Sequence, residues 1–135
     1  MAEPHFIKAS ASFDGNTPNL NVTFKESGLG NNVSITYVAS ADATATFQCF
    51  NNGGKHPKAA NKETVSGPVS AMGTFSSGKN GTISQTLTLF PPGPGSFTCP
   101  SGQTLILTDV TYTNVKILDI TNGISKNIPG TFIFP

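Results

Sequence analysis

The segment Asp42–Cys49, DATATFQC, alternates strictly between apolar and polar residues, and this alternation decides the fold class. Its apolar positions are Ala43, Ala45, Phe47 and Cys49, and Thr or Gln occupies the positions between them. Successive side chains of a β-strand point to opposite faces, so a period of two predicts a half-buried strand. Such a strand packs its Ala and Phe side chains into a core and presents its Thr side chains to solvent.

The same period recurs along most of the chain, with turn residues between the alternating stretches. It is found in HFIKASASF (5–13), NLNVTFKE (19–26), NVSITYVAS (32–40), GTISQTLTL (81–89) and IPGTFIFP (128–135). Charged residues make up only 11% of the chain, which together with the spaced apolar residues is not typical of a disordered protein. The pattern therefore predicts an all-β protein, an antiparallel immunoglobulin-like β-sandwich of about seven to nine strands, as one domain over residues 1–135.

The segment 104–120, TLILTDVTYTNVKILDI, changes its apolar phase twice. Apolar residues occupy odd positions at Leu105 and Leu107, even positions at Val110 and Tyr112, and odd positions again from Val115. A flat strand cannot do this, because a shift of one residue moves every side chain to the other face. We therefore expect bulges here, or a strand that crosses between sheets. Asp109 lies at the first phase change, and a carboxylate beside a bulge is its simplest interpretation.

Two local motifs give more specific predictions. In DITNGISK (119–126), Asn122-Gly123 favours a two-residue type I′ hairpin, which would place Asp119 opposite Lys126 as an exposed ion pair. In HPKAANKET (56–64), the proline and the alanines favour a single helical turn.

Charge and composition exclude several classes of function. All eight basic residues are lysines and the formal net charge is +1, which argues against a nucleic-acid partner because such proteins rely on arginine and a strongly basic surface. No apolar run approaches the roughly 20 residues of a membrane span. The opening MAEPHFIKAS has neither the charged nor the apolar region of a signal peptide, so the compartment is left open.

The two cysteines, Cys49 and Cys99, predict one disulfide, and two buried free thiols are the alternative. A bridge would close a loop of about 50 residues and stabilise the fold by about 4 kcal/mol in the chain-entropy description. It would favour a secreted protein or an oxidising compartment.

The sequence offers no catalytic constellation, metal site or cofactor motif. His5 and His56 have no cysteine or carboxylate at metal-ligand spacing, and the seven carboxylates are scattered. No nucleophile elbow or phosphate-binding loop is present. An enzyme is therefore unsupported, although a small hydrolase would fit if Asp109 met a second carboxylate or His56 in a cleft.

Two loops are the candidate recognition surface. CFNNGGKHPKAANK (49–62) combines lysines, a histidine and a phenylalanine, and FPPGPGSFTCPSG (90–102) carries two phenylalanines between prolines. A bridge between the cysteines would hold these loops side by side at one end of the sandwich, where such folds commonly bind ligands. The alternative is that both are long connections without a ligand. The candidate ligand-binding residues are Phe50, Lys55, His56, Lys58, Phe90 and Phe97.

The segments ATATFQCFNNGGKHPKAANKETVSGPVSA (43–71) and NGTISQTLTLFPPGPGSFTCPSGQTL (80–105), with HFIKASAS (5–12), resemble small uncharacterised β-rich proteins of fungi and actinobacteria. The resemblance covers most of the chain, including the paired cysteines. It implies a β-rich fold and a microbial origin and carries no assigned activity.

The leading hypothesis is a non-enzymatic binding protein whose end loops recognise a protein partner or a cell surface, for example a fungal defence or immunomodulatory protein. A carbohydrate-binding lectin is an alternative, although the chain has no Trp to form a sugar platform and both tyrosines lie in expected strands. A structural or storage protein without a ligand is another alternative. Edge strands could also pair two copies into a homodimer.

Overall fold

The structure, a computed structural model, describes residues 3–51 and 57–135, with side chains omitted for 57–60. Among the described residues there are eight β-strands, one short 3-10 turn at Gly78–Asn80 and no α-helix, which confirms the all-β prediction. The strands are β1 (His5–Phe13), β2 (Leu20–Ser27), β3 (Ser34–Asn51), β4 (Pro57–Ser76), β5 (Ile83–Leu89), β6 (Gln103–Asp119), β7 (Ile124–Ile128) and β8 (Phe132–Phe134).

The strands form two antiparallel sheets. The small sheet has the order β1-β2-β5, and the large sheet has the order β4-β3-β6, with β7 and β8 both pairing with the far edge of β6. β4 lies beside β5 and β1 lies beside β7, so the small sheet covers one face of the large sheet. The immunoglobulin-like classification of this sandwich stays a prediction.

The core lies between the inward faces that the period of two selects. Tyr37, Tyr112 and Phe24 are its largest fully buried side chains, and they come from both sheets. The inward positions of the middle of β3 are all alanine, from Ala39 to Ala45. Aromatic rings of the neighbouring strands therefore supply most of the apolar bulk, and each buried ring stabilises the fold by about 2 kcal/mol.

The phase changes of 104–120 are bulges within one strand. β6 stays in the large sheet, and its register against β3 shifts between Ser40 and Asp42 and again between Thr46 and Phe47. At the shift between Ser40 and Asp42, β6 contains one residue more than β3, and Asn114 of β6 adopts a left-handed conformation there with φ of 53°. Asp109 is half-buried beside the shift between Thr46 and Phe47, which is the place of the first phase change in the sequence.

The predicted hairpin register at 119–126 is wrong. Asp119 pairs with Ile124 and Lys126 pairs with Ile117, so the connection has four residues instead of two. Asp119 continues the inward face of β6 and is fully buried, and therefore it forms no exposed pair with Lys126. The two registers differ by two positions and place the same residues on each face of the sheet, so the inward phase of β6 buries Asp119 in either. In the observed four-residue connection, Asn122 donates two hydrogen bonds to the buried Asp119 carboxylate.

The predicted helical turn at 56–64 is also wrong for residues 57–64, and residue 56 lies outside the described residues. β4 begins at Pro57 and pairs with β3 from Phe50 back to Ser34. The antiparallel ladder is regular from Lys62 to Ser76, and its contacts outweigh the weak local preference for a helical turn. For the same reason the alternating stretches 32–40 and 42–49 belong to one continuous strand.

Candidate functional site

The predicted disulfide is confirmed and connects the two loops of the candidate recognition surface. Cys49 of β3 is bonded to Cys99, with their Cα atoms 5.6 Å apart. Cys99 belongs to the connection 90–102, which leaves the small sheet after Leu89 and enters the large sheet at Gln103. The bridge therefore fixes this connection against the strand that leads into the 49–62 loop. The alternative of two free thiols is wrong.

The connection 90–102 lies where the large sheet extends beyond the small one. The Tyr112 hydroxyl donates to the carbonyl of Pro18, in the turn between β1 and β2, at 2.6 Å. The small sheet turns back at this level, whereas β3 continues to Asn51 and β6 begins as far out as Gln103. Among the described residues no strand of the small sheet extends this far, so the inward face of the extension would be exposed without the connection.

Phe97 helps to close this end of the core. It is half-buried and packs against the core, as do Leu105 and Leu107 of β6. Its backbone N–H donates to the carbonyl of Pro94 at 3.2 Å, which closes a turn in the connection. Phe97 is therefore an anchor of the connection, and little of its ring is free to meet a partner.

The other candidate phenylalanines occupy different surroundings. Phe90, the first residue of the connection, is 60% exposed, whereas Phe50 is half-buried. Phe50 follows Cys49 directly in β3 and therefore lies on the opposite face of the sheet from the bridge. The three rings consequently do not form one cluster, and Phe90 presents the largest exposed fraction.

Of the basic candidate residues, the structure describes only the backbone of Lys58. Lys55 and His56 lie outside the described residues, and so does the side chain of Lys58, whose backbone belongs to β4.

Amide side chains link the strands at this end of the large sheet. The Asn61 amide donates to Gln103 Oε1 at 2.9 Å, and the Gln103 amide donates to Asn51 Oδ1 at 3.0 Å. These bonds join β4, β6 and β3 close to the bridge. The described part of the candidate recognition surface is thus supported by a covalent bond and by side-chain hydrogen bonds.

A buried acidic pair lies within the sandwich, and the sequence analysis missed it. Glu26 of β2, Tyr37 of β3 and Asp119 of β6 are fully buried. The Tyr37 hydroxyl donates to Glu26 Oε1 at 2.7 Å, and the Glu26 carboxyl lies within hydrogen-bonding reach of the Asp119 side chain. Glu26 continues the inward phase of Phe24 in β2, and Asp119 continues that of Ile117 in β6. This alternation is the sequence feature from which the burial of both carboxyls could have been predicted.

Burial, together with the nearby Asp119 carboxylate, raises the pKa of Glu26 from 4.5 to about 7, although the hydrogen bond from Tyr37 opposes the shift. Asp119 accepts two hydrogen bonds from Asn122, one from its backbone N–H at 2.9 Å and one from its amide at 2.8 Å. Glu26 Oε2 has no donor within the described part of the chain. A shared proton therefore belongs on Glu26, from which it can be donated to Asp119.

This arrangement performs a structural task. Burial also raises the pKa of Tyr37, whose ring packs 4.5 Å from the ring of Phe24 and 6.2 Å from that of Phe75. Neither carboxyl of the acidic pair has exposed surface, so a substrate in solution cannot contact it in this structure. The pair instead links the two sheets, since Glu26 belongs to one and its partners belong to the other.

Comparisons of the chain with protein-family models, curated proteins and solved structures gave no match. Over residues 3–51 and 57–135, no three His, Cys, Asp or Glu side chains are grouped so that they could hold a metal ion. None of the described segments is a helix long and apolar enough to cross a membrane.

Proposed function

We propose that the protein is a non-enzymatic binding protein that recognises a protein partner through the end of the sandwich carrying the connection 90–102. The observation that carries this proposal is the Cys49–Cys99 bridge, which holds a connection with a largely exposed phenylalanine against the β3–β4 end. A disulfide is typical of secreted proteins, so the expected partners are secreted or cell-surface proteins.

The chemistry of the connection favours a protein over a polar ligand. Phe90 is followed by Pro91, Pro92 and Pro94, and these side chains supply apolar contact area with few hydrogen-bonding groups. The prolines and the bridge restrict the connection before binding, which lowers the entropy lost when a complex forms. An exposed aromatic side chain on a rigid support is a common centre of binding energy in protein interfaces.

The test is a search for partners followed by affinity measurements on variants. The biotinylated protein is applied to an array of secreted and cell-surface proteins, and any protein that binds is measured by surface plasmon resonance. We expect Phe90→Ala to weaken binding about 30-fold, the equivalent of about 2 kcal/mol for an aromatic residue at the centre of an interface.

Met72→Ala is the matched control. Met72 is 68% exposed on the edge strand β4, so its replacement removes a similar exposed apolar side chain from a different part of the surface. Its affinity should equal that of the wild type. An array without any bound protein, or equal affinities of the wild type and Phe90→Ala, would contradict the proposal.

A further inference from the structure

A groove of about 690 Å³, lined by both polar and apolar residues, opens on the outer face of the large sheet, away from the candidate recognition end. Asp42 of β3, Asn114 and Lys116 of β6, and Asn127 of β7 contribute to its wall. Asp42 lies eight residues before Phe50 in β3, which places the groove about 26 Å from Phe50 along the strand. A ligand in the groove would therefore be bound independently of the protein partner proposed above.

Two interruptions of the large sheet form the groove. On one side of β6, its register against β3 shifts between Ser40 and Asp42, opposite Asn114 in its left-handed conformation. On the other side, β7 pairs with β6 only from Val115 onward, and β8 pairs only as far as Tyr112. The connection 129–131 between β7 and β8 borders the resulting gap. Bulges often redirect side chains at binding sites, and here they leave a concave surface on a flat sheet.

The groove offers both donors and acceptors without net charge. The Asn114 amide donates to Asp42 Oδ2 at 2.9 Å, which holds these two planar groups side by side. Asp42 Oδ1 and the carbonyl oxygen of Asn114 are left available to a ligand. Lys116 and Asn127 are exposed register partners, and no hydrogen bond of either side chain is found in the described part of the chain. Asp42 and Lys116 carry one charge of each sign, so the groove favours a neutral ligand with many polar groups.

We propose that this groove binds a neutral saccharide. Each sugar hydroxyl can donate and accept a hydrogen bond, so adjacent hydroxyls match a row of carboxylate, amide and ammonium groups. Pro68 and Pro129, on opposite sides of the groove, supply apolar surface for the C–H groups of a sugar ring. The volume lies within the range of about 300–1,000 Å³ that is usual for small-molecule sites.

An anionic ligand is a poorer match for these groups. The Asp42 carboxylate would repel a phosphate or sulfate, and Lys116 is the only cationic side chain that lines the groove in the described part of the chain. The groove contains none of the candidate ligand-binding residues of the end loops, so it is a different site from the candidate recognition surface.

The test is an NMR titration of the ¹⁵N-labelled protein with glucose, galactose, mannose, N-acetylglucosamine, cellobiose, lactose, mannobiose and chitobiose, and with inorganic phosphate. We expect at least one saccharide to shift the side-chain amide resonances of Asn114 and Asn127 saturably. The variants Asp42→Ala and Asn114→Gly should weaken that binding by about tenfold, because each removes a hydrogen-bonding group from the ligand.

The substitution Asn114→Gly preserves the fold, because glycine adopts the left-handed conformation without strain. Asn32→Gly is its matched control, since Asn32 has almost the same φ of 54° and is exposed in the loop before β3, outside the groove. This control should bind saccharide like the wild type. The proposal is overturned if no saccharide shifts the groove amides, if phosphate alone does so, or if Asn32→Gly and Asn114→Gly weaken binding equally.

Discussion

Replacing Glu26 with glutamine should stabilise the protein at alkaline pH and leave its stability at acidic pH almost unchanged. Glutamine has the shape of a protonated glutamate. Its carbonyl oxygen can accept the hydrogen bond from Tyr37, and its amide can donate to Asp119, which are the partners of Glu26 in the fully buried acidic pair. The substitution thus fixes the neutral form that burial favours.

The direction of the pH dependence follows from the pKa of Glu26 in the two states. That pKa is raised from 4.5 to about 7 on folding, so between these values the folded protein binds more protons than the unfolded chain. The stability associated with Glu26 is fully present below pH 4.5 and is lost as the pH rises through 7. The difference between the two pKa values corresponds to about 3 kcal/mol, at about 1.4 kcal/mol per pH unit.

The measurement is urea-induced unfolding followed by circular dichroism, with the disulfide intact, at pH 4 and at pH 8. At pH 8 the free energy of unfolding of Glu26→Gln should exceed that of the wild type by about 3 kcal/mol. The midpoint of thermal unfolding should rise by about 10 °C in a protein of this size. At pH 4 the two proteins should differ by less than about 1 kcal/mol, since Glu26 is then mostly protonated in both states.

Glu63→Gln is the control, because Glu63 is an exposed glutamate of β4 and the substitution removes the same charge from the protein. Its stability should follow that of the wild type at both pH values. Equal stability of Glu26→Gln and the wild type at pH 8 would refute the reasoning. An equal gain at pH 4 and pH 8 would also refute it, because the gain would then have no connection with the proton on Glu26.

Two further predictions concern the stability of the backbone. Gly28→Ala should destabilise the protein by about 2 kcal/mol or more in urea unfolding, because Gly28 has φ of 78° and a Cβ atom there would overlap the carbonyl of Glu3. Gly15→Ala, with φ of 60° and no atom within 4 Å of its Cβ position, should cost less, and equal costs would contradict the overlap argument. The double substitution of Cys49 and Cys99 by serine should lower the free energy of unfolding by about 4 kcal/mol. An unchanged urea midpoint would show that the bridge contributes nothing to stability.

Most strand positions and their inward faces could be predicted from the sequence, because alternation is a local property of the chain. The strand β4 could not, because its pairing with β3 overrides a local preference for a helical turn. The segment 42–49 shows this directly, since its apolar residues are all inward in β3. The phase changes of 104–120 likewise located both bulges of β6, because a bulge is the local means of shifting a strand by one residue. The disulfide was also predictable, since two cysteines allow one intramolecular pairing.

Which residues contact one another across the fold, and which stay exposed, was decided only by the tertiary structure. Phe50, Phe90 and Phe97 look equivalent in the sequence, yet Phe97 packs against the core and Phe90 is largely exposed. The difference depends on how far the large sheet extends beyond the small one, which no local pattern encodes. The same is true of the candidate site, because its exposed ring depends on where the connection 90–102 crosses between the sheets.

The acidic pair and the groove also depend on contacts that no local sequence pattern predicts. The alternation places Glu26 and Asp119 on inward faces, but 93 positions separate them in the chain, and only the packing of the two sheets brings their carboxyls together. The groove likewise requires a bulge on one side of β6 and a gap between β7 and β8 on the other. Alternation fixes the face on which a side chain lies, whereas what it meets there depends on long-range contacts between strands.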